Sequence, residues 1–306
     1  MHFDVVIIGG SFAGLSAALY LARARRSVCV IDSGRPRNRF ADQSHGFLTQ
    51  DGSDPRAMLA TARAQVGAYE TVRFIQGTAI DACKNGSYVS VELDSSDVIT
   101  CSRLLLAFGI SDTLPDIRGL AERWGKSVIH CPYCHGYEFS GRSLGVLNVS
   151  PMSSHQALLI SEWGPTTFYL NGGDEPDAAT ADHLGRRNIR IERVAVDELV
   201  GSGPQLSQVL LADGRAHDID AVFIAPRNEL NSSIASQLGC QIDAAPLGSM
   251  VRVDEMKMTT INGVYAAGDI ARGGHSIAFA SADGVMAAIA MHRSLVFDAP
   301  AAEARV

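Results

Sequence analysis

Basic residues are in short supply. Lysine and arginine number 26 against 33 aspartates and glutamates, a formal net charge of -7 over 306 residues, which leaves no basic footprint for nucleic acid or an anionic membrane. Small molecules, or proteins that tolerate an acidic surface, are the partners this composition allows. Long apolar runs are missing too: none approaches the roughly 20 residues of a spanning helix. His2-Phe3-Asp4 leads into an apolar strand pattern with no basic leader or cleavage site, so a cytoplasmic location is expected. Cysteine is scarce, six residues in all, too few for a disulfide scaffold in a chain of this size. Cys29, Cys83, Cys101 and Cys240 are isolated and read as structural, and there is a single Cys-x-x-Cys. What the chain does have is apolar content, 46% hydrophobic against 19% charged, enough for sizeable cores in two domains.

Val5-Val6-Ile7-Ile8 is short and continuous, the pattern of a strand buried on both faces, and Gly9-Gly10-Ser11-Phe12-Ala13-Gly14 follows at once. A helix pattern from Leu15 to Ala24 and a second strand, Val28-Cys29-Val30-Ile31, complete a βαβ unit. Asp32 stands about 20 residues after the glycines, as a dinucleotide fingerprint requires. Gly9 permits the tight turn, Gly14 close packing of helix on strand, the helix N-terminus attracts pyrophosphate, and Asp32 can accept from a ribose hydroxyl. Ser11 replaces the glycine that usually lets the backbone approach the pyrophosphate; it is small and adds a hydroxyl, so binding is expected to survive. Near the other end, Gly263 to Ala267 reads as a strand entering a Gly268-Asp269 turn, followed by a helix pattern from His275 to Met291. Asp269 alone would pass as an ordinary helix N-cap. In the middle, Ser143 to Leu147 begins a second strand-turn-helix pattern.

The chemistry is concentrated in His130-Cys131-Pro132-Tyr133-Cys134-His135-Gly136-Tyr137-Glu138. Two thiols separated by two residues close a disulfide at little loop cost, and one of them commonly reacts as thiolate. The same letters also fit c-type haem attachment, half a zinc site, or two core cysteines. Haem attachment expects an exported chain, and a closed zinc site expects a second ligand pair that the sequence lacks. Pro132, two histidines and Glu138 make a poor core segment. A redox pair is therefore expected, with no metal.

The glycine loop Gly9 to Gly14, Ala107-Phe108-Gly109 at a strand end, and Ala266-Ala267-Gly268-Asp269 together resemble the FAD-domain signatures of low-molecular-weight thioredoxin reductases, and the Cys-x-x-Cys falls where that family carries its own. The resemblance implies an α/β fold of two doubly wound Rossmann-like domains, the second inserted into the first: residues 1–117 and 245–306 for FAD, and 118–244 for the pyridine nucleotide. It further implies FAD contacts from Gly9, Ser11, Phe12, Ala13, Gly14, Asp32, Gly109, Gly268 and Asp269, and from Ser276 and Ile277 beside the flavin ring. Ser44-His45-Gly46-Phe47-Leu48 resembles the loop that runs past the flavin, which adds His45. By position, Cys134 would face the flavin and Cys131 would exchange with substrate. His135 stands where the family has an aspartate. An imidazole, with an ordinary pKa near 6.5, takes a proton from a thiol around neutral pH better than a carboxylate does; His130 competes for the role. A homodimer is also implied.

The family's NADPH motifs are absent. After the middle strand comes Asn148-Val149-Ser150-Pro151-Met152-Ser153-Ser154, without glycine, and the next strand, Thr167 to Leu170, ends in Asn171-Gly172-Gly173-Asp174-Glu175 where arginines would grip a 2′-phosphate. Arg186 or Arg187 would have to fold back to serve. With His135, this resembles the dithiol oxidases of the gliotoxin and holomycin type, which close a disulfide in a small metabolite and give the electrons to oxygen. The expected function is oxidation of a small dithiol with formation of hydrogen peroxide. The alternatives are a thioredoxin reductase using NADPH or a donor such as ferredoxin, with a thioredoxin-like partner, and a redox-sensing flavoprotein without turnover.

Overall fold

The apolar run near the start of the chain lies inside a seven-stranded sheet. In the computed structural model, which describes residues 1–298, it is β1 (His2–Ile8). The chain continues through α1 (Phe12–Arg23), β2 (Val28–Asp32), α2 (Pro55–Gly67), β3 (Val72–Gln76), the hairpin β4 (Ala79–Asn85) and β5 (Tyr88–Leu93), and β6 (Val98–Leu106). β1 is paired in parallel on both edges, with Val6 opposite Cys29 of β2 and Leu104 of β6. Val5 and Ile7 enter the core on one face, Val6 and Ile8 the core on the other. That two-residue period with both faces covered is why the run is continuously apolar.

The turn into α1 is fixed by close approach. Gly9 has φ +112°, and a Cβ there would lie 2.1 Å from the Ala107 carbonyl oxygen; at Gly14 a Cβ would lie 1.9 Å from the Gly9 carbonyl oxygen. No side chain fits at either position.

β7 (Ile110–Thr113) leads out of this sheet into α3 (Leu120–Arg123), β8 (Val128–Ile129), α4 (Pro132–His135), β9 (Leu144–Leu147), α5 (Ser153–Ile160), β10 (Thr166–Tyr169), α6 (Ala178–Arg186) and β11 (Arg190–Glu192). The antiparallel strands β12 (Val196–Ser202), β13 (Gln205–Leu211) and β14 (Ala216–Asp218) precede β15 (Ala221–Ile224). A parallel five-stranded sheet results, in the order β11-β10-β9-β15-β8. β16 (Arg227–Leu230) pairs with β7 on the way back. Then come α7 (Ile234–Gln237), the hairpin β17 (Ile242–Ala245) and β18 (Gly248–Val251), β19 (Val264–Ala266) and α8 (Ile277–Phe297). β19 rejoins the first sheet on the C-terminal half of β6, with Val264 opposite Leu104, while β5 occupies the N-terminal half of the same edge.

The chain divides into two compact units: Met1–Arg37, Arg56–Ser111 and the described residues from Glu229 onward in the first, and Asn38–Pro55 with Asp112–Asn228 in the second. The divisions thus fall inside the paired strands β7 and β16, at 111/112 and 228/229, whereas the sequence reading drew them at 117/118 and 244/245. The β17–β18 hairpin accounts for the second difference, because Val251 is buried in the core of the first sheet. The segment Asn38–Pro55, read with the first domain, packs with the second unit.

Of the four solitary cysteines, Cys29, Cys101 and Cys240 are buried, but Cys83 is exposed on the edge strand β4 and is no core residue. Burial pushes the Cys29 thiol up to about 11 and the Cys101 thiol up to about 12, so neither is a thiolate near neutrality. Among the described residues no helix is long and apolar enough to cross a membrane.

Candidate active site

In the second unit the Cys-x-x-Cys forms one helical turn. Cys131 is the N-cap of α4, Pro132 opens the turn where its missing N–H costs nothing, and Cys134 follows within it. Spacing of i, i+3 stacks the two half-buried cysteines on one face. Gly136 closes the turn by donating its N–H to the Pro132 carbonyl at 2.6 Å. A Cβ at Gly136 would stand 2.5 Å from that oxygen and 2.9 Å from the Trp163 ring, so only glycine lets the turn seat on Trp163. The Tyr133 ring meets Trp163 edge to face at 5.9 Å, and Gln156 donates to the His130 carbonyl at 2.8 Å. The strand before the turn and the helix beneath it are therefore both tied down.

His135 and Glu138, three residues apart, converge with His45: one ligand-type atom from each lies within 4.8 Å of the others. The His45 and His135 rings meet edge to face at 5.9 Å. His45 Nε2 is 3.4 Å from Glu138 Oε1, and His45 Nδ1 is 3.6 Å from Asp51 Oδ1. His45 arrives on a loop closed by the Ser44–Ser53 bridge and by the Gly46 N–H donating to Asp51 at 2.8 Å. Burial, then the neighbouring His45, lower the His135 pKa below the ordinary histidine value, and Glu138 partly opposes them. His135 is thus held as a neutral imidazole beside the dithiol, able to accept a proton. Tyr133 and Tyr137 are exposed nearby in sequence, at 72% and 82%.

The second strand-turn-helix, β9 into α5, is occupied by its own side chains. Ser153, fully buried, accepts the N–H of Val149 at 3.0 Å and of Ser150 at 3.2 Å. These are the amides that a glycine-rich turn would turn toward a phosphate. At the end of the next strand Asn171 accepts from the Val196 N–H, and Glu175 holds Arg193 through both carboxylate oxygens. Arg186 pairs with Asp182 and Arg187 with Glu162, so neither has folded back.

The first unit has the opposite character at its own turn. Ser11 N-caps α1 without using its side chain, and a Cβ on Gly10 would collide with the Asp32 carboxylate at 2.7 to 2.8 Å. Asp32 accepts the Gly10 N–H at 3.2 Å and pairs with Arg63 at 3.2 Å. Asp269 lies in a short 3₁₀ turn, Gly268–Ala271, whose N-cap is Ala267, so capping is not its task; it pairs with Arg37 at 3.1 Å. Arg37 Nη1 also lies 2.8 Å from His275 Nδ1. Ser276 caps α8 by accepting the Phe279 N–H, with Ile277 next, and Asn231 bonds the Phe108 carbonyl beside Gly109.

The sequence profile of the pyridine nucleotide-disulphide oxidoreductases matches residues 3–149 and 166–289. The chain belongs to that family. It is 34% identical over 277 residues to the thioredoxin reductase tcpT of Claviceps purpurea, covering 87% of this chain and 86% of that protein. Among solved structures, it is similar to an oxidoreductase from Agrobacterium tumefaciens, with a TM-score of 0.93 and 45% identity over 98% of this chain and 100% of that one. It is also similar to HlmI, with a TM-score of 0.92 and 36% identity over 96% and 93% of the two chains. The chain is thus a thioredoxin reductase-like disulphide oxidoreductase, a flavoprotein enzyme, and the reading as a sensor without turnover falls away.

Within this family member the structure brings His135 together with His45, which the resemblance had set along a flavin. Glu138 and Asp51, which stand against His45, and Arg37 and Arg63, which pair with Asp269 and Asp32, were not among the candidate residues. Only Glu138 had a usable signal, its i, i+3 spacing from His135.

Proposed function

We propose that the protein binds FAD in the first unit and oxidises small dithiols to cyclic disulfides with dioxygen as acceptor, yielding hydrogen peroxide. What carries the reading is the β9–α5 turn, where Ser153 already holds the amides a second nucleotide would need. An enzyme that takes electrons from its thiol substrate needs no nicotinamide, so the loss of that site is consistent with its task.

The residues present fit FAD. The Gly9–Gly14 turn leaves the start of α1 uncapped by any side chain, a place suited to a pyrophosphate. Asp32 and Asp269 would supply acceptors for ribose and ribityl hydroxyls, Gly109 would let the backbone come close, and Ser276 and Ile277 at the start of α8 would hold the ring. Bound there, FAD would supply a two-electron acceptor for the reduced Cys131–Cys134 pair, whose disulfide is thereby restored, and oxygen would reoxidise the flavin. The rest falls to the protein's own groups. The His135 ring nitrogen takes the proton from one substrate thiol, and the thiolate attacks Cys131 Sγ of the Cys131–Cys134 disulfide, releasing Cys134 as thiolate. The second substrate thiolate attacks the substrate sulfur of the mixed disulfide and expels Cys131. The substrate leaves with one new S–S bond, having given up two electrons and two protons, which equal those gained by oxygen on forming peroxide. Glu138 and His45 orient His135 between transfers.

The assembly is read as a homodimer. Phe279, Met286, Ile289 and Val296, spaced by seven, three and seven along α8, are 52%, 39%, 40% and 48% exposed, a seam that a second copy of the same helix would cover. The name of the Claviceps relative keeps a second reading open, reduction of a thioredoxin-like partner. An oxygen electrode with a panel of small dithiols decides between them. Dithiol-dependent oxygen uptake with peroxide supports the oxidase. No uptake, with thioredoxin reduced by NADPH or reduced ferredoxin, removes it.

A further inference from the structure

His45 is held in a way that acid–base work alone does not require. The His45 ring stands between two carboxylates, with Asp51 Oδ1 3.6 Å from Nδ1 and Glu138 Oε1 3.4 Å from Nε2. Nε2 is buried with no hydrogen-bond partner. A cation between the half-buried imidazole and the exposed carboxylate would engage both. His135 completes the circle from the adjacent helical turn, its ligand-type atom within 4.8 Å of the other two.

We propose that His45, His135 and Glu138 form a site for a divalent transition cation, zinc foremost, beside the redox pair, and that filling it arrests the thiol chemistry. Two imidazoles and one carboxylate are a donor set that suits zinc, with a fourth position left open. Ligand distances of about 2.0–2.2 Å in a tetrahedral site put neighbouring donor atoms roughly 3.4 Å apart. The His45–Glu138 pair already has that spacing, and the His135 donor lies within 4.8 Å of both. Asp51 is the outer carboxylate that commonly orients a metal-bound histidine. A bound cation takes the His135 lone pair, and its open position attracts the substrate thiolate away from Cys131. The arrest rests on the reading of His135 as the base; the binding does not.

The test titrates EDTA-stripped, FAD-loaded protein with zinc against a chromophoric chelator. Wild type and a Cys131→Ser/Cys134→Ser variant are compared, the latter to exclude binding by the dithiol itself. One equivalent bound at micromolar zinc in both is expected. Affinity should fall at least 10-fold in His45→Ala and about 10- to 100-fold in Asp51→Asn, which touches no metal, with circular dichroism showing both variants folded. No micromolar binding, or binding unchanged in His45→Ala, overturns the site. Zinc binding that leaves dithiol oxidation unaffected keeps the site and overturns the arrest, with it the assignment of His135 as base.

Discussion

Replacing Ser153 by alanine should unfold the second unit early while leaving the first intact. The Ser153 hydroxyl accepts two backbone N–H groups, those of Val149 and Ser150, at a position of zero exposure. Removing it leaves two amides unpaired, each costing about 1–3 kcal/mol when buried. Val149 and Ser150 are only half-buried, so water recovers part of this, and a net loss of about 2–4 kcal/mol is expected. Both tryptophans of the chain, Trp124 and Trp163, lie in the second unit, so urea unfolding followed by tryptophan fluorescence reports on that unit. With a urea dependence of about 2 kcal/mol per molar, the midpoint should drop by about 1–2 M. Ser154→Ala, one residue on and only half-buried, should stay within about 0.5 kcal/mol of wild type. If Ser153→Ala is no worse than Ser154→Ala, the two amides have other partners. The turn would then be open to phosphate and able to take a nicotinamide nucleotide.

Cys131→Ser should leave a Cys134 thiolate beside oxidised flavin and give a long-wavelength charge-transfer band, whereas Cys134→Ser should not, and both should abolish turnover; the reverse pattern in the visible spectrum exchanges the two roles. Because His135 titrates below its ordinary value, the acid limb of kcat/KM for a dithiol in EDTA-treated enzyme should lie below pH 6.5. Removing the raising influence of Glu138 by Glu138→Gln should move that limb to still lower pH, and a limb unmoved or shifted upward would refute the assignment. Ile289→Arg on the exposed seam of α8 should yield a folded monomer by light scattering, about half the mass of wild type, and an unchanged mass would place the dimer contact elsewhere.

Much of the architecture was legible because burial on both faces leaves a local signature. Continuous apolar runs at Val5–Ile8 and Val28–Ile31 can be satisfied only by flanking strands and covering helices, and Gly9 and Gly14 stand where any Cβ would strike backbone. The dithiol turn was equally visible, since two thiols and a histidine within five residues need no distant partner to be recognised. Asn148–Ser154 showed that something was missing. What replaced it was not readable, because the hydrogen bonds of Ser153 depend on how the turn folds back rather than on which residues it contains.

Sequence by itself marked the buried strands, the glycine turn and the candidate dithiol, all of which follow from residues within reach of each other along the chain, while the inserted second domain followed from the family resemblance. Tertiary structure alone decided who surrounds that pair. His45 and Asp51 lie 90 and 84 residues before His135 in the sequence, and no local pattern says that Asn38–Pro55 packs with the second unit. It also decided that Cys83 is exposed while Cys29 and Cys101 are sealed, since edge and centre are properties of strand order. Local residue patterns fix what each segment buries; which segments meet is fixed only when the sheets assemble, and the charge environment of His135 is set at that point.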